Sequence, residues 1–152
     1  IATLPGAKLF HEGQFEGRRV RVPVFLRRRP DEPADPALQD FYRRLLKAIS
    51  TTDVKGGAWR LCEPSGWPDN ERYRNLVAWC WAKGKEHHLM IVNLSDTNSQ
   101  GKVRVPLDDL RGRIWRMTDE ITGPVYDRDG NELCDPGLYV DLGPWETHVL
   151  KF

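Results

Sequence analysis

The side chains best suited to chemistry in this 152-residue sequence fall into a few small groups. His11, Glu12 and Gln14 follow a short apolar run at Ala7, Leu9 and Phe10. Adjacent carboxylates stand at Asp108-Asp109 and Asp119-Glu120. Hydrolysis by a carboxyl pair needs both groups held across one bond. Neighbours on a strand point to opposite faces, so neither pair qualifies if it lies on a strand. His87-His88 diverge for the same reason, and His11 and His148 are remote in sequence, so no histidine cluster holds a metal. Asp127-Arg128-Asp129-Gly130-Asn131 lacks the full oxygen register and the terminal Glu of a calcium loop and reads as a tight turn. Cys62, Cys80 and Cys134 are odd in number, with no CxxC spacing, and read as buried, inert thiols.

Tryptophan is abundant: Trp59, Trp67, Trp79, Trp81, Trp115 and Trp145. Aromatic faces stack on sugar rings, and the same residues also fill cores. Val77, Trp79 and Trp81 share one face of a strand that a sandwich would bury, whereas Trp59 and Trp67 fall in a Gly/Pro-rich stretch and are the surface candidates. Arg18, Arg19, Arg21 and Arg27 to Arg29 form a basic cluster. Asp31, Glu32, Asp35 and Asp40 follow closely and neutralise it. With 23 basic and 22 acidic residues the net charge is +1, so no nucleic-acid partner and no anionic membrane surface is expected. No apolar run approaches the roughly 18 residues of a membrane helix.

The elements that must position these groups divide the chain in three. Residues 1–50 hold a short strand at Ala7–Phe10, a loop and a helix. Val20, Val22, Val24 and Leu26 alternate as an extended segment, interrupted by Pro23. Asp35-Pro36 is a helix start, with Asp as N-cap and Pro at the first helical position. Leu38, Phe41, Tyr42, Leu45, Leu46 and Ile49 then recur at helical spacing. Residues 51–74, with Gly56-Gly57, Pro64-Ser65-Gly66 and Pro68-Asp69-Asn70, read as a linker. From 75 to 152 the chain is strand after strand. Leu76–Ala82 and His88–Leu94 flank Lys83-Gly84-Lys85-Glu86 as a hairpin. Lys102–Leu107, Ile114–Asp119, Val125-Tyr126, Glu132–Cys134, Leu138–Leu142 and Glu146–Phe152 follow. The expected fold is mainly β, an antiparallel sandwich preceded by a strand-loop-helix unit.

With these residues in place, the sequence resembles the C-terminal part of the α-amylase family of glycoside hydrolases. Leu4-Pro5-Gly6, the apolar run and Gly13-Gln14 look like the family's last barrel strand. Asp35 to Ile49 looks like the last barrel helix. Asn75 to Phe152 looks like the β-sandwich called domain C, including Val92-Asn93-Leu94-Ser95 and the closing strand from Trp145. The resemblance implies a (β/α)8 barrel whose catalytic carboxylates precede residue 1. None of them maps onto this chain, and no cofactor is implied. Where the family commonly has Glu after the Gly of the last-strand motif, this chain has Gln14, and Glu16 to Pro33 is an insertion.

The expectation is therefore a C-terminal segment of an enzyme acting on α-glucans, as hydrolase or glucanotransferase. The segment itself is non-catalytic and in the cytoplasm. Its partner is the missing N-terminal barrel, and α-glucan is a further expected ligand. His11, Glu12 and Gln14, beside the catalytic end of the barrel, either touch substrate or brace the loop; Trp59 and Trp67 are the other substrate-binding candidates. Two further readings remain open: a carbohydrate-binding module without catalysis, and a structural domain whose helix stripe packs on another chain.

Overall fold

The computed structural model describes residues 2–21, 23–25, 28–50 and 56–152. Val22 and Leu26 of the expected extended segment, Arg27 of the basic cluster, and the first part of the expected linker lie outside the described residues. Two compact units emerge, Ile1–Thr51 and Thr52–Phe152.

In the first unit the only regular element among the described residues is helix α1, Pro36–Ser50. It starts where Asp35 predicts. The Asp35 carboxylate accepts from the backbone N–H of Ala37 at 3.0 Å and Leu38 at 3.1 Å, satisfying two of the first-turn donors. The stripe of Leu38, Phe41, Tyr42, Leu45, Leu46 and Ile49 is half-buried, with Ala48 alone fully buried. The expected strand at Ala7–Phe10 does not form; the segment is irregular. A strand exists only where a neighbour completes its hydrogen bonds, and no described segment pairs with this one.

The second unit is a two-sheet antiparallel sandwich. Its strands are β1 (Ala58–Leu61), β2 (Glu63–Ser65), β3 (Leu76–Lys83), β4 (Glu86–Asn93), β5 (Ser99–Arg104), β6 (Ile114–Asp119), β7 (Val125–Asp129), β8 (Leu138–Leu142) and β9 (Thr147–Lys151). The larger sheet has the order β1-β3-β4-β9-β6-β7, and the smaller β2-β5-β8. The β3–β4 hairpin forms as the sequence predicts, with Lys83 opposite Glu86 and Gly84 at φ +61 in its turn. Two departures are instructive. Part of the expected linker is strand: β1 zips onto β3, with Trp59 opposite Trp81, and β2 onto β5. Glu132–Cys134, read as a strand, belongs instead to a short helix α2, Gly130–Cys134, capped by the Asp129 carboxylate accepting from Asn131 N–H at 2.8 Å.

The core lies between the sheets. It is built from Leu76, Ala78 and Cys80 on β3, Leu89 and Ile91 on β4, Trp115 and Met117 on β6, and Leu150 on β9, facing Val103, Leu138, Val140 and Leu142. This corrects the reading of Val77, Trp79 and Trp81 as the sandwich interior. The alternation was right, but the facing was reversed. Both faces of β3 are apolar, and periodicity alone cannot say which one meets the second sheet. Trp79 and Trp81 are nevertheless buried, on the opposite face of the larger sheet.

Candidate functional site

His11, Glu12 and Gln14 lie together in one loop of the first unit. The His11 N–H donates to Gln14 Oε1 at 3.3 Å, and the Gln14 N–H to the His11 carbonyl at 3.2 Å. Gln14 Nε2 donates to the Tyr42 hydroxyl on α1 at 3.0 Å, beneath a Phe10–Phe15–Tyr42 ring cluster with centroids 5.2 and 4.8 Å apart. The Gln14 amide thus anchors the loop to the helix. Glu12 is open to solvent and meets Arg29 at 3.5 Å. Gly13 sits at φ +83, and a Cβ there would come 2.7 Å from the Arg29 guanidinium, so the turn requires glycine. In the basic segment, Glu32 accepts from the Arg19 and Val20 N–H groups at 2.6 and 3.2 Å. The Arg19 bond above all holds its carboxyl below the ordinary value.

The tryptophans separate into distinct environments. Cross-strand register aligns Leu61, Trp79, Met90 and Val149 in one row, and Trp59, Trp81, His88 and Lys151 in the next. Trp59 is therefore not a free surface ring. It is half-buried, and its Nε1–H is buried without a partner among the described residues. Trp115 is in the core and donates to the Leu110 carbonyl at 2.8 Å, with the Arg113 guanidinium 3.5 Å from its ring centroid. Trp67 is exposed, as the sequence suggests, and its ring lies 6.4 Å from that of Tyr139. Tyr139 was not singled out from sequence. The signal was present in Leu138-Tyr139-Val140-Asp141-Leu142, whose alternation sends Tyr139 and Asp141 to the polar face.

Three histidine–carboxylate pairs are structural in geometry. Buried His87 meets Asp109 at 2.9 Å and packs between Trp115 and Phe152. His88 meets Glu86 at 2.9 Å, and Glu86 meets Lys151 at 3.1 Å. Burial pushes the His88 imidazole below its ordinary value, and the Glu86 contact only partly offsets this. Asp119 is fully buried. It accepts from His148 Nδ1 at 2.6 Å, Ile121 N–H at 2.9 Å and Thr122 N–H at 3.3 Å. Burial alone would raise its carboxyl; these donors, His148 foremost, hold it below the ordinary value. Asp119 is thus sealed from any substrate, and Asp108 and Asp109 sit on an exposed 3-10 turn. Cys62, Cys80 and Cys134 are buried free thiols. The Cys62–Cys80 thiol hydrogen bond, with burial, raises Cys62. Among the described residues no three His, Cys, Asp or Glu side chains converge as a metal site, and no helix is long and apolar enough to cross a membrane.

The second unit is, in class, an antiparallel β-sandwich that follows a helical unit in the chain. No family model matches the sequence, and no curated protein does. Among solved structures the chain is similar to a noncanonic maltogenic α-amylase, AmyB, from Thermotoga neapolitana. The TM-score is 0.75 at 15% identity, over 99% of this chain and 34% of that one. The chain thus spans about a third of that enzyme's length, and the likeness is one of fold. A β-galactosidase, Gan42B, aligns over 80% of this chain and 13% of that one at 12% identity, but its TM-score of 0.32 carries no argument.

Proposed function

We propose that this chain is the C-terminal portion of an α-amylase-type glycoside hydrolase or glucanotransferase. In this reading the first unit completes a (β/α)8 barrel and the sandwich is a non-catalytic support of the enzyme. The observation that carries the reading is the fold likeness to a maltogenic α-amylase across nearly the whole chain, helical unit and sandwich alike. Three features support it. The Ala7–Phe10 segment has strand-like composition and no strand partner among the described residues. The α1 stripe is only half-buried. On the sandwich, Leu61 is 63% exposed at the end of the otherwise buried row Leu61-Trp79-Met90, and the buried Trp59 Nε1–H has no acceptor among the described residues.

The segment itself is non-catalytic in this reading. Glycoside hydrolysis requires two carboxyl groups flanking one bond, about 5 Å apart for retention. Of the sequence candidates, Asp119 is fully buried and bonded to His148, and Asp109 is paired with His87. His11, Glu12 and Gln14 act as braces of the catalytic face rather than as its chemistry, because Gln14 is committed to Tyr42. The test is a reducing-sugar assay on soluble starch. The 152-residue chain alone should release nothing. Turnover by this chain that disappears on substituting one of its own carboxylates would overturn the reading.

A further inference from the structure

The outer face of the smaller sheet carries two aromatic rings that belong to no core. Trp67 is 43% and Tyr139 50% exposed, with ring centroids 6.4 Å apart and planes inclined by 31°. Large aromatics left half in solvent lose hydrophobic stabilisation, which makes such a pair unusual unless the rings have a use.

The pair is also held in place. Trp67 opens a turn closed by the Asn70 N–H donating to its carbonyl at 3.0 Å, with Asp69 in the left-handed region at φ 71. Asn70 Nδ2 pins that turn to the Gln100 carbonyl on β5 at 3.0 Å. Behind Trp67, a Cβ on Gly66 would come 2.5 Å from the Tyr73 ring and 2.7 Å from the Asn70 carbonyl, so the backbone there is clamped. Tyr139 is fixed by the β5–β8 ladder, opposite Lys102. A binding surface ordered in advance loses little entropy when a ligand arrives.

The surroundings are polar. Gln100 stands opposite Asp141, and its Nε2 donates to Asp141 Oδ2 at 2.9 Å. Lys102 lies on the same face as Gln100. An aromatic patch edged by a carboxylate, an amide and an ammonium matches a ligand with an apolar C–H face and a rim of hydroxyl groups. A protein partner would instead need about 800 Å² of surface per side, and here the Arg104–Asp135 ion pair, at 3.2 Å, follows directly along β5.

We propose that Trp67 and Tyr139, with Asp141, Gln100 and Lys102, form a pyranose-stacking site for an oligosaccharide. Stacking rests on this geometry alone; the preference for α-linked over β-linked glucose rests on the function proposed above.

The experiment titrates the 152-residue chain with maltoheptaose and, separately, cellohexaose, following tryptophan fluorescence and heat. Maltoheptaose should bind saturably. Trp67→Ala and Tyr139→Ala should each weaken it about tenfold or more, while Trp145→Ala, which removes an exposed tryptophan elsewhere, should not. Asp141→Ala, a change at an exposed strand position, should weaken binding without altering the thermal melt. If both sugars bind equally and both lose affinity in the variants, the stacking site stands and the α-glucan reading of the parent enzyme fails. If neither sugar binds, or Trp67→Ala and Tyr139→Ala change affinity no more than Trp145→Ala, the site is overturned.

Discussion

Asn93 offers a sharp test of how the sandwich is tied together. It ends β4 and is fully buried. Its Nδ2 donates to the carbonyls of Thr97 at 2.7 Å, Gly143 at 2.8 Å and Leu142 at 3.2 Å, and its Oδ1 accepts from Ser95 N–H at 3.1 Å. One amide therefore joins the end of β4 in the larger sheet to the end of β8 in the smaller. Asn93→Ala removes the two short donor bonds and the acceptor bond. At about 1 kcal/mol each this costs about 3 kcal/mol, more if the carbonyls stay dry. Asn93→Asp keeps the shape but replaces the donor with an oxygen facing three carbonyl oxygens. At neutral pH it should cost more than alanine, because a desolvated carboxylate is added to the lost bonds.

The pH dependence has a defined sign. Burial and three facing carbonyls raise the folded-state pKa of the introduced carboxyl above its unfolded value of about 3.9. A group raised on folding contributes stability at low pH and loses it as pH rises through the folded value. The aspartate variant should therefore recover on acidification, since its protonated form again donates one hydrogen bond, while the alanine variant should not. Urea unfolding of wild type, Asn93→Ala and Asn93→Asp, each at several pH values, reads this directly, and taking the difference from alanine cancels every other titration. An aspartate variant within about 1 kcal/mol of wild type at neutral pH, or one that gains nothing over alanine in acid, refutes the argument.

Asp119 should show the opposite sign. Its folded value lies below the unfolded value of about 3.9, so its stabilisation is complete above that pH and is lost as pH falls through the folded value. Urea midpoints for wild type should fall in that acid range by an amount that Asp119→Asn lacks; parallel curves would refute this. Gly130→Ala should destabilise the sandwich by about 1–3 kcal/mol or more, because the added Cβ would collide with the Leu110 carbonyl. Gly112→Ala, where a Cβ meets nothing but φ is +81, should cost only the backbone strain, about 1 kcal/mol. Equal midpoints for the two glycine variants would refute this comparison.

The sequence by itself determined the elements whose causes are local. Asp35-Pro36 placed the start of α1, because a cap and a ring-fixed φ act within one turn. Lys83-Gly84-Lys85-Glu86 placed the β3–β4 hairpin, and the alternation from Leu138 to Leu142 set which residues share a face. Trp67 was legible as exposed because Pro and Gly surround it.

Only the tertiary structure decided the rest, because it depends on partners distant in sequence. Strands β1 and β2 read as linker until β3 and β5 supplied their hydrogen bonds. Glu132–Cys134 has the composition of a short strand, yet Asp129 caps it as helix and packing against Leu110 fixes it there. Which apolar face of β3 meets the second sheet was undecidable from a strand apolar on both sides. Asp119 and His148, 29 positions apart, became a buried pair, and Tyr139 became the neighbour of Trp67, only once strands remote in sequence were paired. Alternation assigns a side chain to a face; register alone assigns it a neighbour, and here the neighbours carry the chemistry.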